Sequence, residues 1–472
     1  MLSFISILIF VASLLGFQIF YQIFTHPLAA YSGPLLAKIT NFWRLLSFTR
    51  GSQHLVDAEL HEKYGSVVRD GPDSLLIADI EVFKTIYGFK STIEKGDFYL
   101  SSSNHDPQNP NAFSARTESQ HRMARKRLLS PKSLTAYEQH VTRGINAYIA
   151  KLGEEVESSG RRLDITSGVE RLTFDAMLEV AYGSSMGFVA AGYDQHGTLA
   201  EKEVIFPINM GAGIVPWLVQ LLASRLVVSF LRKPKFDIHG NPKGISAPVL
   251  WSYGIFDRAT QSTLNLQPSM LKYLLEIDEI DKRKPDLSIV RHECFNVVFA
   301  GTGSTAAALN AILYEIGTHP GWQSLVHSEI KSSPDENDLD SAFLSKLPRL
   351  QAFMKESLRL HPPFASPFER VIGPNGESTI AGLKGPLPVG TRVWSNPYII
   401  CRSKEVFGKD ANELRPERWL ENSPERLREM DDTFCVFGRG SRGCVGKDIA
   451  WMLMEKTIAA ASHHSWDNFE SM

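Results

Sequence analysis

Residues 1–24 contain no charged side chain and consist mainly of Leu, Ile, Phe and Val. As a helix this run rises about 36 Å, enough to cross a hydrocarbon core of about 30 Å. The start of the chain is therefore built to lie in lipid rather than in a water-soluble core. A cleaved signal peptide would place Lys or Arg ahead of the apolar run and a small-x-small pattern after it. Neither occurs, and His26-Pro27-Leu28 comes next instead. The run predicts a single transmembrane helix as an anchor. Residues 25–34 include Pro27, Gly33 and Pro34, which cannot continue a helix, and predict a semi-rigid hinge ahead of one large domain over 35–472.

Two later stretches are also apolar. Residues 294–314 carry no charge but include Asn296, Thr302, Ser304, Thr305 and Asn310, and their pattern runs into Glu293 and Glu315. A long buried core helix is expected there. Residues 211–230 contain Pro216 and Arg225. A central Arg costs about 2.5 to 3.5 kcal/mol on insertion scales, so this stretch reads as a lid or interfacial helix pair, or as an ordinary buried helix, rather than a span.

Helical periodicity covers 121–129, 136–155, 172–182, 271–280, 288–317, 321–331, 347–360 and 446–463, whereas strand-like segments at 66–69 and 74–78 flank Gly and Pro turns. The fold class is mainly α with a small β region. Residues 95–117, rich in Ser, Asn and Pro, predict an irregular loop of the length that often lines sites. Fifty basic against fifty-two acidic residues give a net charge of -2, so the basic field that non-specific nucleic-acid binding needs is missing and no nucleic acid is expected as a partner. The four cysteines form no C-x-x-C pair, which removes disulfide frameworks and Cys-rich zinc modules, and the absence of any Asn-x-Ser/Thr agrees with a body outside the secretory lumen.

Chemistry concentrates at Phe437-Gly438-Arg439-Gly440-Ser441-Arg442-Gly443-Cys444-Val445-Gly446, just ahead of a helical run. Gly438, Gly440 and Gly443 satisfy G-x-G-x-x-G after a strand-like stretch at 433–437. A dinucleotide site would also require a second parallel strand with an acidic residue about 20 positions on, and too little chain remains after the helix. The alternative takes Cys444 as a metal ligand. Glycines let backbone N–H groups reach the sulfur and a helix N-terminus adds positive potential, so a thiolate suited to iron is favoured.

The segment resembles the cysteine-ligand loop of the cytochrome P-450 family, F-x-x-G-x-R-x-C-x-G, matched at Phe437, Gly440, Arg442, Cys444 and Gly446. The resemblance implies the P-450 fold, haem with Cys444 as axial thiolate, Phe437 as its shield and Arg442 on a propionate. Cys294, Cys401 and Cys435 read as packing cysteines. Glu356 and Arg359, three apart on one helix face, resemble the family's E-x-x-R. Arg418 in Pro416-Glu417-Arg418-Trp419 resembles the later arginine, implying a buried structural cluster. His121 and Arg125 resemble W-x-x-x-R with His at the tryptophan, and Arg370 occupies the place of another propionate arginine. The basic residues Arg122, Lys126 and Arg127 are either a solvated face or a docking face for an acidic electron-transfer partner.

The stretch Ala300-Gly301-Thr302-Gly303-Ser304-Thr305 resembles A-G-x-D/E-T-T/S. Two interior glycines cost a helix about 2 kcal/mol relative to alanine. Close approach to a flat cofactor at Gly301 is one explanation and helix crossing by small residues the other. Ser304 and Thr305 could hydrogen-bond dioxygen and relay protons, although Gly303 stands where the family has an acid and Ser304 where it has threonine. After the helix 446–463 the family usually adds a strand hairpin beside the pocket. Few residues remain here, so part of the sheet and pocket wall is expected to be missing.

The resemblance implies a fungal microsomal haem-thiolate monooxygenase, of the type that tailors small lipophilic secondary metabolites. It would face the cytoplasm from the endoplasmic reticulum and draw electrons from NADPH through a membrane-bound reductase. The loop at 95–117, residues 204–230 and the helix around Phe299 would line its pocket. Rearrangement, dehydration or peroxide-driven chemistry, and a non-catalytic haem binder, are the rivals.

Overall fold

The computed structural model describes residues 4–464 apart from 103–109, 129–130, 160–163, 223–234, 237–241, 244–246, 262–266, 281–285, 333–339, 367 and 375–377. The first helix, Phe4–Phe20, continues through a widened turn, Tyr21–Thr25, and none of its residues is buried. Phe4–Thr25 is long and apolar enough to cross a membrane. The segment after it is docked rather than free to swing. Leu28 and Tyr31 are buried, the Tyr31 hydroxyl accepts from the Lys384 N–H at 2.7 Å, and Arg69 donates to both the carbonyl and the side chain of Gln22 at 2.7 Å. Gly33 passes so close to the Arg69 carbonyl that no Cβ would fit. The proline-glycine spacing stops the helix as expected, but burial of two large side chains pins the hinge to the body.

Four helices hold the centre. The 32-residue helix Leu287–Thr318 packs most extensively on Ile165–Tyr182, which packs in turn on Pro131–Ser159, and Lys447–His464 closes the group against Pro131–Ser159. Asp286 caps the long helix by accepting from Ser288 N–H at 3.0 Å, satisfying one of the donors a helix start leaves unpaired. Val290, Cys294, Leu309, Ile312 and Ile316 bury its core face, so this second apolar stretch is a core helix, as its polar content predicts. Residues 211–230 begin as the end of the helix Thr198–Ile214, followed after Val215 by Pro216–Leu222, and 223–230 lie outside the described residues.

The five-stranded sheet is small. Val67–Gly71 and Ser74–Ile77 form a hairpin, Ser74–Ile77 runs parallel to Arg392–Trp394, and Arg370–Val371 joins antiparallel, with Glu94–Lys95 at the far edge. That edge sets Lys95 directly opposite Arg370. The loop expected over 95–117 contains a short 3-10 turn, Asp97–Ser102, and its described end is ordered by Asn111, whose side chain accepts from Phe113 and Ser114 N–H at 2.9 Å. Residues 433–437 are not a strand. The helix Pro424–Thr433, capped by Ser423, runs up to them, and Phe434–Phe437 is irregular; no neighbouring strand among the described residues offers a ladder, so β propensity is overridden. The missing hairpin expected after the last helix concerns residues 465–472, outside the described residues.

Candidate active site

The cysteine loop is shaped by two residues in the left-handed region, Gly438 at φ +71° and Gly440 at φ +67°. A Cβ on Gly440 would run into the Tyr87 carbonyl, which settles why glycine stands there. The loop closes when Gly438 N–H donates to Cys435 O at 2.8 Å and Cys444 N–H to Phe437 O at 2.6 Å. Cys444 then sits just before the helix Lys447–His464. Cys294, Cys401 and Cys435 are buried, whereas Cys444 is exposed. Protein atoms nevertheless crowd it. Burial raises its thiol, against the backbone N–H of Gly446, the Arg125 charge and the N–H of Lys447, all of which favour the thiolate. An exposed sulfur with so much protein around it belongs to the wall of an internal cleft. A positive ion bound there would reverse the burial effect and leave the N–H groups holding a thiolate.

Beside the loop lies a concentration of positive charge. Arg125 reaches the Gly443 carbonyl at 2.7 Å, tying the loop to the helix Glu118–Leu128. Arg442 pairs with Glu118 at 3.2 Å and donates to the Arg116 carbonyl at 3.3 Å. Arg370 donates to the Tyr99 hydroxyl at 2.8 Å and lies over the Tyr87 ring at 4.8 Å. Lys95, buried opposite Arg370, donates to the carbonyls of Ala112 at 3.1 Å and Phe113 at 2.7 Å. Burial, then Arg370 and Arg442, push the Lys95 ammonium well below its ordinary range, with Glu293 opposing. His121 is buried and pushed down to about 3 by burial and then by Lys95, Arg442, Arg125 and Arg370, so it is neutral at physiological pH.

The expected residues Arg125, His121, Arg370 and Arg442 are thus brought together, with Lys95 and Tyr99 added by the fold. Like charges directly opposed across a strand pair destabilise it, and buried cations need compensation. A ligand with two carboxylates supplies it, and the donor set suits the propionates of haem.

Along the long helix the expected residues separate. Ala300, Ser304 and Ala307 are exposed along one face of the long helix, at the i, i+4, i+7 spacing that lines up side chains. Ser304 donates its hydroxyl to Ala300 O at 2.6 Å, which leaves its oxygen as an acceptor toward the open side. Thr305 is only 3 % exposed and lies off that face, so the pairing of both hydroxyls on one relay is corrected. A Cβ on Gly301 would sit 2.5 Å from Met177 Sδ of the helix Ile165–Tyr182. That contact favours the helix-crossing explanation of the two weighed for this glycine. Aromatic pairs furnish apolar surface nearby: Phe295 with Phe299 at 5.5 Å, Tyr99 with Phe113 at 4.9 Å, and Phe364 with Phe368 at 4.8 Å.

Behind the loop, Arg359 meets Glu356 through two hydrogen bonds of 2.9 and 2.8 Å. Arg418 and the Trp419 indole add bonds of 2.8 and 2.9 Å to the same carboxylate. Arg359 also donates to the carbonyls of Cys401 and Ala411, so one buried cluster binds the helix Pro348–Leu360 to the segment that precedes the loop. Burial alone would raise the Glu356 carboxyl, but the Arg359 hydrogen bonds and the Arg359 and Arg418 charges hold it below the usual range.

The cytochrome P450 family model matches residues 34–461. The cytochrome P450 monooxygenase cicH of Emericella nidulans is 29% identical over 435 residues, covering 90% of this chain and 85% of that protein. A cytochrome P450 monooxygenase of Aspergillus terreus is 29% identical over 446 residues, 91% of this chain and 88% of its own length. The monooxygenase mpaDE of Penicillium roqueforti is 30% identical over 440 residues, 90% of this chain but 50% of that protein. The chain belongs to the cytochrome P450 family. It is a fungal-type haem-thiolate monooxygenase, an oxidoreductase of a family that takes electrons from NADPH through a reductase.

Proposed function

We propose that this protein inserts one oxygen atom from O2 into a small lipophilic substrate in fungal secondary metabolism, with Cys444 as the iron ligand. The observation that carries the reading is a single exposed thiol, in a glycine-shaped loop at a helix start, beside a cluster of buried Lys95 and Arg370 with half-buried Arg125 and Arg442. Haem held there supplies the oxygen-activating chemistry that no side chain offers. With iron bound, Cys444 would carry negative charge that the N–H groups of Gly446 and Lys447 favour. Arg125, Arg370, Arg442 and Lys95 would bind the propionates, and neutral His121 would add a ring nitrogen as donor. Phe437 covers the sulfur. Ser304, its own proton bonded to Ala300 O, presents Oγ on the open face of the helix as an acceptor for a proton donor there. The aromatic walls exclude water and favour an apolar ligand.

The exposed apolar helix Phe4–Phe20 supports anchoring, and with it an endoplasmic-reticulum location with the body on the cytoplasmic side, served by NADPH-cytochrome P450 reductase. The residues over 1–24 act as the anchor, 25–34 as its connection to the body and 35–472 as the catalytic domain. Gly303 and Ser304 favour one second reading, in which the altered proton path redirects turnover to rearrangement, dehydration or peroxide-driven chemistry. Reconstitution with reductase and NADPH separates them: monooxygenation couples NADPH and O2 consumption to product one for one, whereas product formed without O2 consumption overturns it. Comparing metabolites of a deletion strain with those of its parent identifies the substrate.

A further inference from the structure

The proximal side of the cysteine loop contains a hydrogen-bond chain that has no part in holding the propionates or in delivering protons. The ring of Phe437 rests on Trp451 with centroids 5.9 Å apart. The Trp451 indole N–H donates to Gln351 Oε1 at 2.8 Å. Gln351 Nε2 donates to Glu455 Oε2 at 3.1 Å and to Leu344 O at 3.1 Å. The direction of this chain is forced. An indole can only donate, so Gln351 must present its oxygen to Trp451, and its amide nitrogen is then left to face an acceptor. Only an acceptor at Glu455 completes the set, and every polar atom of the Gln351 side chain is then used.

We propose that Trp451, pinned by Gln351 and Glu455, is a positioning residue that holds Phe437 against the Cys444 sulfur and so sets the donor strength of the thiolate. The proposal rests on the proposed assignment of Cys444 as iron ligand and of Phe437 as its shield, and goes beyond it by naming what fixes that shield. Phe437 is attached to the loop by the bond from Cys444 N–H to its carbonyl, but its ring has Trp451 as its aromatic support. Were the ring free to move, water or an N–H could approach the sulfur and withdraw electron density through a hydrogen bond, weakening the ligand.

Glu455 gives the chain a signature that simple packing lacks. It is buried. Burial pushes its carboxyl up to about 7, with the Glu138 charge in the same direction and Gln351, Ser341 and the Lys456 charge opposing. The surrounding groups are accounted for. Lys456 is bound to Glu138 at 2.8 Å, Glu315 on the long helix pairs with His361 at 2.6 Å, and His327 faces Ser462 at 2.7 Å. As pH rises through 7 Glu455 becomes a carboxylate, a stronger acceptor for Gln351 and an added negative charge on the proximal side. Both effects lower the reduction potential of the haem.

The test uses purified full-length holoprotein. Wild type, Trp451→Ala, Gln351→Leu and Glu455→Gln are compared by ferrous carbon monoxide spectrum, by haem midpoint potential from acid to alkaline pH, and by haem content. Trp451→Ala and Gln351→Leu are expected to shift the potential upward and to hasten conversion of the carbon monoxide complex to the thiol-ligated form, with haem content retained. Glu455→Gln keeps a carbonyl facing Gln351 and is expected to match wild type in acid while losing the fall in potential across pH 7. Should Trp451→Ala fail to fold, Gln351→Leu carries the same comparison. Unchanged potential and spectrum in Gln351→Leu, or an equal pH slope in Glu455→Gln and wild type, overturns the proposal. A wild type without the thiolate-type band overturns the ligand assignment instead.

Discussion

The surroundings of the cysteine loop and the exposed face of the long helix are built on opposite rules. Behind Cys444 every polar group of the Glu356 cluster is satisfied: Arg359, Arg418 and Trp419 converge on one carboxylate and Arg359 reaches three further carbonyls, with all four side chains buried. On the long helix, Ser304 turns its hydroxyl back onto its own helix, Ala300 and Ala307 leave the exposed face bare, and Phe295 stacks on Phe299. A buried ionic cluster stabilises only as a complete set, since losing one member strands the rest. An apolar wall with one hydroxyl tolerates change. The cluster behind the loop therefore specifies a geometry, and the exposed helix face does not.

Breaking the proximal rule has the largest expected effect. Glu356→Ala leaves Arg359 and Arg418 buried without their carboxylate and should cost about 3 to 5 kcal/mol, read as loss of soluble holoprotein or a large fall in thermal midpoint. Arg359→Lys cannot reproduce the two-pronged bond and should fail in the same direction by less. The Glu356 carboxyl also sets a pH limit. Its folded pKa lies below the unfolded one, so its contribution is fully present above the ordinary carboxylate range and is lost as pH falls through the folded value. Denaturant midpoints measured from neutral to acid pH should drop on the acid side.

The cationic rim comes next. Removing Arg442, Arg370 or Lys95 takes away a charge-assisted bond worth about 1.5 to 3 kcal/mol. Each alanine variant should lose haem about tenfold to a hundredfold faster to an apo-globin trap, on the scale of about 1.4 kcal/mol per factor of ten. Lys95→Ala equal to wild type would remove that residue from the site. On the distal wall, Ser304→Ala should lower coupled turnover by about a hundredfold, the smaller end of proton-transfer contributions, with the carbon monoxide spectrum unchanged. Thr305→Ala should change coupling far less, because that hydroxyl is off the open face; the reverse order would undo the distinction between them. Smallest is Gly301→Ala, where Met177 must shift at a cost of about 1 to 3 kcal/mol, relieved by Met177→Ala in the same chain.

Legibility in the sequence divides along the same line. The loop 437–446, the Glu356-x-x-Arg359 pair and Arg418 are short contiguous patterns whose spacing is dictated by one carboxylate or one sulfur, so they are visible without a fold. Lys95 is not. Its role arises from the strand register that sets it opposite Arg370, 275 positions later in the chain. The neighbour of Gly301 is hidden for a related reason, since the atom its missing Cβ would meet belongs to Met177 on another helix. The proline-glycine segment after the anchor is readable as a helix stop, but the burial of Leu28 and Tyr31 depends on partners such as Lys384 far along the chain. Local signals mark where chemistry and breaks occur; tertiary register decides which side chains share a cleft.

The central claim is that Cys444 is the iron ligand, and the ferrous carbon monoxide spectrum of purified wild type beside Cys444→Ala tests it most directly. Ligation by Cys444 predicts the red-shifted Soret band of a thiolate complex in wild type and its complete loss in the variant. A well-folded wild type that binds haem without that band, or a Cys444→Ala protein that keeps it, would contradict the claim.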